Sequence, residues 1–156
     1  MNEVTIVSTI KVWDRKEITD PEIINMIQEA EQAAILAHAP YSNFKVGVAI
    51  KMSGGAIVRG ANQENASYPI CICAESVTLG SAKTQYPDQN IKKMFIAVPS
   101  SNSPISPCGM CRQSILEYEN RQNAPIQIYL IGVEEIIQID GIKSILPLAF
   151  DGRKLV

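Results

Sequence analysis

The chain has 156 residues, 46 % of them hydrophobic and 19 % charged, and fourteen basic against sixteen acidic side chains leave a formal net charge of −2. That length suits one compact domain and is short for two, the apolar share excludes wholesale disorder, and the slightly acidic balance argues against a nucleic-acid binder, which carries a basic surplus. No apolar run approaches the roughly 20 residues needed to cross a bilayer.

At the start, "MNEVTIVSTIKVWDRKE" places no basic segment ahead of its apolar residues, and Glu3, Thr5, Ser8 and Thr9 interrupt them, so a secretory leader is not expected. Val4, Ile6, Ser8, Ile10 and Val12 alternate with Thr5, Val7, Thr9, Lys11 and Trp13, a two-residue period that predicts a strand within an N-terminal extension over residues 1–18. A helix follows: Thr19 or Asp20 can cap it, Pro21 suits its first turn, and Ile24, Ile27, Ala30, Ala34 and Ala37 keep a helical spacing until Pro40 stops it near His38. "FKVGVAIKM" and "AIVRGA" read as two strands joined by a turn at Ser53, Gly54 and Gly55.

Farther along, Cys73 to Lys83 reads as helix, "MFIAVPS" as a buried strand, Cys108 to Glu119 as helix and "IQIYLIG" as a strand. "EIIQID" is expected at a sheet edge, and Ile142 to Leu146 as a short last helix before Pro147. Strand and helix alternate through this half, so the expected fold is α/β, one sheet with helices on both faces, within a single domain spanning 1–156.

Chemistry concentrates in two segments. "SYPICICAESVTLGSA" carries Cys71 and Cys73, and "SPCGMCRQSILEYE" carries Cys108 and Cys111. Two intervening residues let a turn that enters a helix aim both of the latter sulfurs at one metal. Both helix starts are expected to stabilise thiolates through the helix dipole. With no leader in view, the expected compartment is the cytoplasm, where thiols stay reduced and a cysteine cluster points to metal or catalysis rather than to disulfides.

Three readings compete. The cysteines can be unrelated buried thiols, since cysteine is among the most often buried residues. All four can close a structural zinc site, with Cys71 and Cys73 pointing the same way along an extended segment. Alternatively Cys73, Cys108 and Cys111 hold zinc and leave the fourth position to water. Glu75 has work only in the third, because a carboxylate beside a zinc-bound water can move protons.

Cys73-Ala74-Glu75 followed by Pro107-Cys108-Gly109-Met110-Cys111 resembles the signature of the zinc-dependent nucleobase deaminases. Together with "APYSNFKVGVAI", "GANQENASYP" and "ILPLAF", it resembles the small, homotetrameric cytidine deaminases that act on free nucleosides, from about Pro21 to Phe150. The resemblance implies a three-layer sandwich around a mixed sheet and one zinc ion per chain on Cys73, Cys108 and Cys111. It also implies hydrolysis of cytidine and 2′-deoxycytidine to the uridines and ammonia, a step of pyrimidine salvage. Glu75 would move protons from water to N3 and the leaving ammonia while water attacks C4.

By the same resemblance Phe44 packs against the cytosine ring, Asn62 and Glu64 bond the ribose hydroxyls, and Ala74 offers backbone contacts to the base. Phe150 reaches a neighbouring protomer's pocket, while Cys71 is a packing thiol. Read without the family, Asn62 is a turn residue after a strand and Phe150 a core residue. One position departs from the pattern. Ser76 stands where most three-cysteine members have an arginine that bonds the ligand sulfurs and offsets their charge, and Arg112 is left to carry that task. Relatives that deaminate blasticidin S also lack that arginine, which makes such an analogue the alternative substrate. A non-catalytic zinc and nucleoside binder is the alternative outside enzymes, and His38 belongs to no motif.

Overall fold

The computed structural model describes residues 1–152, so the last four positions of the expected 1–156 domain lie outside the described residues. Strands β1 (Lys11–Asp14), β2 (Gly47–Met52), β3 (Ile57–Ala61), β4 (Ile91–Ala97), β5 (Gln127–Ile131) and β6 (Glu135–Asp140) form one sheet in the order β1-β6-β5-β4-β2-β3. Helices α1 (Pro21–Ile35), α2 (Ala74–Gln85) and α3 (Gly109–Gln122) complete the fold. Only β4 and β5 pair in parallel, and α3 lies in the crossover between them that such a pair requires. The sheet is therefore mixed.

Alternation along the strands builds two cores. Val48 and Ile50 of β2 face one side with Met94, Ile96, Ile128 and Leu130, under Leu79 of α2 and Ile115 and Leu116 of α3. Ala49 faces the other side, where Phe95 stacks on Tyr129 at 4.3 Å beneath Met26, Ile27 and Ala30 of α1. The result is the expected three-layer sandwich. The Asp20 carboxylate caps α1 by accepting from the Glu22 N–H at 2.8 Å, with Pro21 in the first turn. Helix α1 seats directly on β2, since a Cβ on Gly47 would lie 2.1 Å from the Ala30 carbonyl oxygen.

Four expectations change. The N-terminal strand is confined to Lys11–Asp14, and residues 1–10 form no regular structure, with Val4 83 % exposed. In the register that pairs Lys11 with Gln138, strand β6 ends at Asp140, opposite position 9, after which Gly141 takes φ 94° and turns away, so the alternation at residues 4–8 has no ladder to join. "EIIQID" is not an edge, because β1 pairs along its outer side. Its polar residues are used across the strands: Trp13 Nε1 donates to Gln138 at 3.2 Å and Lys11 to Asp140 at 2.7 Å. Helix α1 stops three residues before His38, which instead bridges to Gln63 through backbone bonds. The last helix is a 3-10 turn over Ile142–Ile145.

Candidate active site

Two helix N-termini meet beside β4. Cys73 is the N-cap of α2, and Cys108 is the N-cap of α3, its sulfur accepting from the Cys111 N–H at 3.4 Å. The ligand atoms of Cys73, Cys108 and Cys111 lie within 4.8 Å of one another, and the Sγ atoms of Cys108 and Cys111 are 3.4 Å apart. Three sulfurs at tetrahedral positions on a zinc with bonds of about 2.3 Å stand about 3.8 Å apart, so this donor set fits the metal in both chemistry and size.

Cys71 is outside the group. Its sulfur accepts from the Asn65 N–H at 3.2 Å and its thiol donates to the Asn65 carbonyl at 3.6 Å. The four cysteines do not close on one another, and among the described residues Cys73, Cys108 and Cys111 are the sulfurs the fold brings together. Glu75, the second residue of α2, is 5 % exposed and shares one cavity of about 200 Å³ with the three cysteines. A larger cleft of about 280 Å³ between Glu119, Asn123 and Asp140 contains no thiol cluster, so chemistry and not size marks the site.

The electrostatics differ among the thiols. Burial pushes Cys108 up, yet the Cys111 N–H and thiol and the Met110 N–H outweigh it and leave the group below its usual range. Cys73 is raised, chiefly by burial and then by the charges of Glu75 and Cys108 against the bond from Cys111. Cys111 is raised by burial and by Glu75. The helix-start expectation therefore holds for Cys108 alone among the metal-site thiols, and a bound cation is what would let all three ionise together. Burial also raises Glu75, against its own N–H and the Cys111 thiol.

Phe44, Asn62 and Ala74 line the same cavity. Glu64 does not: its carboxylate accepts from the Tyr41 and Ser42 N–H groups at 2.9 and 3.3 Å and from the Ser42 hydroxyl. Phe150 is 65 % exposed rather than a core residue, and its carbonyl accepts from Gln113 Nε2 at 2.9 Å. Ser76 is half-buried on α2 and does not line the cavity. The hydrogen bonds of Arg112 run to the Pro107 carbonyl at 2.8 Å, the Ile145 carbonyl at 2.8 Å and Ser106 Oγ at 2.9 Å, not to a sulfur. One residue on from Cys111, its side chain leaves the helix about 100° around the axis from that ligand. Sequence reasoning also passed over Ile96, Val98, Ile105 and Ser106, which line the cavity. The alternation of Ile96 and Val98 at the close of the buried strand and the polar approach to Pro107 were the available signals.

Residues 21–124 match the family model described as the cytidine and deoxycytidylate deaminase zinc-binding region. The chain is 40 % identical over 131 residues to the cytidine deaminase of Halalkalibacterium halodurans, covering 83 % of this chain and 95 % of that protein. It is 32 % identical to the cytidine deaminase of Sporosarcina psychrophila, covering 86 % and 95 %. Among solved structures, the cytidine deaminase of Burkholderia pseudomallei superposes with a TM-score of 0.72 at 33 % identity, covering 81 % of this chain and 98 % of that one. That of Mycobacterium tuberculosis does so with 0.69 at 30 %, covering 85 % and 99 %.

Proposed function

The chain belongs to the cytidine and deoxycytidylate deaminase family, and from that premise we propose that Cys73, Cys108 and Cys111 hold its zinc ion while Glu75 serves as general base and then general acid. The reaction is hydrolysis of cytidine: water and cytidine go to uridine and ammonia, the C4–N bond breaking as a C4–O bond forms. A zinc ion held by the three sulfurs would supply an acidified water as the nucleophile.

Everything else falls to the protein. Glu75 takes a proton from the water, delivers it to N3 of the ring, and then protonates the departing amine. Burial suits it to this exchange by favouring the neutral carboxyl it becomes midway. Phe44 lies against the ring, the Ala74 backbone faces the base and Asn62 turns toward the ribose, while Glu64, outside the cavity, holds the loop that carries Phe44. The observation that carries the proposal is one buried carboxylate in the same cavity as three sulfurs.

We further place the enzyme as a homotetramer in the cytoplasm, acting on 2′-deoxycytidine as well. Three reduced thiols suit that compartment, and among the described residues no helix is long and apolar enough to cross a membrane. Phe150, exposed and held by its carbonyl, is available to enter a neighbouring chain's cavity.

The test is ammonia release from cytidine, 2′-deoxycytidine and blasticidin S by the zinc-loaded chain and by Glu75→Gln. Turnover of the nucleosides should fall at least about a hundredfold in the variant while zinc content stays unchanged. Turnover of blasticidin S alone would move the substrate to that analogue, and no turnover with zinc bound would leave a binding protein.

A further inference from the structure

Phe44 stands on the loop between α1 and β2, and an aromatic wall on a loop is only as well placed as the backbone beneath it. Here that backbone is held on both sides. The Phe44 N–H donates to Ser42 Oγ at 3.0 Å, and the Ser42 hydroxyl donates to a Glu64 carboxylate oxygen. The other Glu64 oxygen accepts from the Tyr41 and Ser42 N–H groups. On the far side, the Phe44 carbonyl accepts from Asn62 Nδ2 at 2.9 Å, and Asn62 Oδ1 accepts from the Val46 N–H at 2.8 Å.

Between these grips Asn43 takes φ 55°, a left-handed conformation that asparagine tolerates better than most residues. Glu64 and Asn62 are themselves anchored, since the Glu64 N–H donates to the His38 carbonyl and the Asn62 carbonyl accepts from the His38 N–H. A hydroxyl donating to a carboxylate is among the stronger hydrogen bonds, and the bond from Ser42, followed by that from Tyr41, holds the Glu64 carboxyl below its usual range.

We propose that Ser42 is a positioning residue for the nucleoside, relaying Glu64 to the Phe44 backbone so that the ring wall of the cavity is fixed before substrate arrives. Ser42 is not among the residues lining the cavity, so its effect reaches the base through Phe44. It follows that Asn62 and Glu64 act on the base side as well as on any sugar contact. The inference rests on the reading of Phe44 as the wall for a cytosine ring.

The experiment measures equilibrium binding of cytidine and 2′,3′-dideoxycytidine on the zinc-loaded Glu75→Gln chain, which holds nucleoside without consuming it, and KM and kcat for cytidine on the zinc-loaded parent, each with and without Ser42→Ala. Binding of both ligands should weaken by the same factor, about fivefold, with KM rising alike and kcat within about twofold. Ser42→Thr should restore binding, and adding Ser42→Ala to Phe44→Ala should change nothing further. Equal binding with and without Ser42→Ala overturns the proposal. A loss confined to cytidine assigns the effect to the sugar hydroxyls, and a full further loss in the Phe44→Ala background shows that Ser42 does not act through the ring; either overturns it too. Cytidine bound by the Glu75→Gln chain but not turned over by the parent would sink the catalytic reading and leave this binding test intact. Should the Glu75→Gln chain bind neither ligand and the parent turn over no cytidine, both fail together.

Discussion

Ser76 is where the charge balance of the three-sulfur site can be probed. Three thiolates leave a divalent ion with net negative charge, and the bonds of Arg112 go to two carbonyls and a hydroxyl in place of a sulfur. A cation at position 76 should make the bound water more acidic. Ser76→Arg is therefore expected to move the acid limb of the pH–rate profile to lower pH with zinc content unchanged. An unaltered profile would show that the site is balanced without it. The cysteines and Glu75 were legible because their spacing along two short segments already carries the chemistry. The work of Glu64 was not, since its partners Tyr41 and Ser42 lie 23 and 22 residues away, and Arg112, besides its local bonds to Ser106 and Pro107, is tied to Ile145 33 residues on, a meeting made only in the fold.

Helix α3 does more than deliver two sulfurs, and Glu119 shows how. It is 7 % exposed, and one of its carboxylate oxygens accepts from the Ile126 N–H at 2.8 Å, just ahead of β5, and from the Ile142 N–H at 3.0 Å, at the start of the last 3-10 turn. Glu119→Ala leaves two buried N–H groups unpaired and should lower stability by about 2 to 4 kcal/mol. Glu119→Gln keeps an acceptor and should stay within about 1 kcal/mol of the parent. Burial raises this carboxyl above its usual value despite the two N–H bonds, so the cost of its charge is fully present above the folded value and is relieved as pH falls through it. Any advantage of the glutamine variant should therefore be largest at neutral pH and shrink toward acid. Urea unfolding at several pH values reads both effects, and equal midpoints for the two variants would show that the bonds do not hold α3. Helical spacing and turn residues made α1, α2, α3 and the β2–β3 hairpin readable. The N-terminal strand was overextended because alternation reports a side-chain pattern and not whether a partner strand is there to meet it.

At the scale of the molecule, large apolar side chains stand exposed on the two segments that carry Phe44 and Cys73 into the cavity. Tyr68, Ile70 and Ile72 lead into Cys73 with exposures of 68, 61 and 49 %, and Phe44, Tyr41 and Phe150 are also exposed. Exposed apolar side chains that gather into a patch mark association, and a net charge of only −2 puts little repulsion in its way. None of this was visible in the composition, because the segments at 41–44 and 68–72 come together only on folding, where Tyr41 and Tyr68 meet edge to face at 5.7 Å. If Phe150 completes a neighbour's cavity, catalysis and assembly are one equilibrium. The zinc-loaded chain should sediment as four copies, and specific activity should fall when it is diluted below the range in which that species persists. Phe150→Ala should raise KM severalfold with zinc content unchanged, because it removes a wall of the site and none of its chemistry. A monomer with full activity, or a Phe150→Ala enzyme with the parent's KM, would show instead that each chain holds a complete site and that the apolar rim serves another partner.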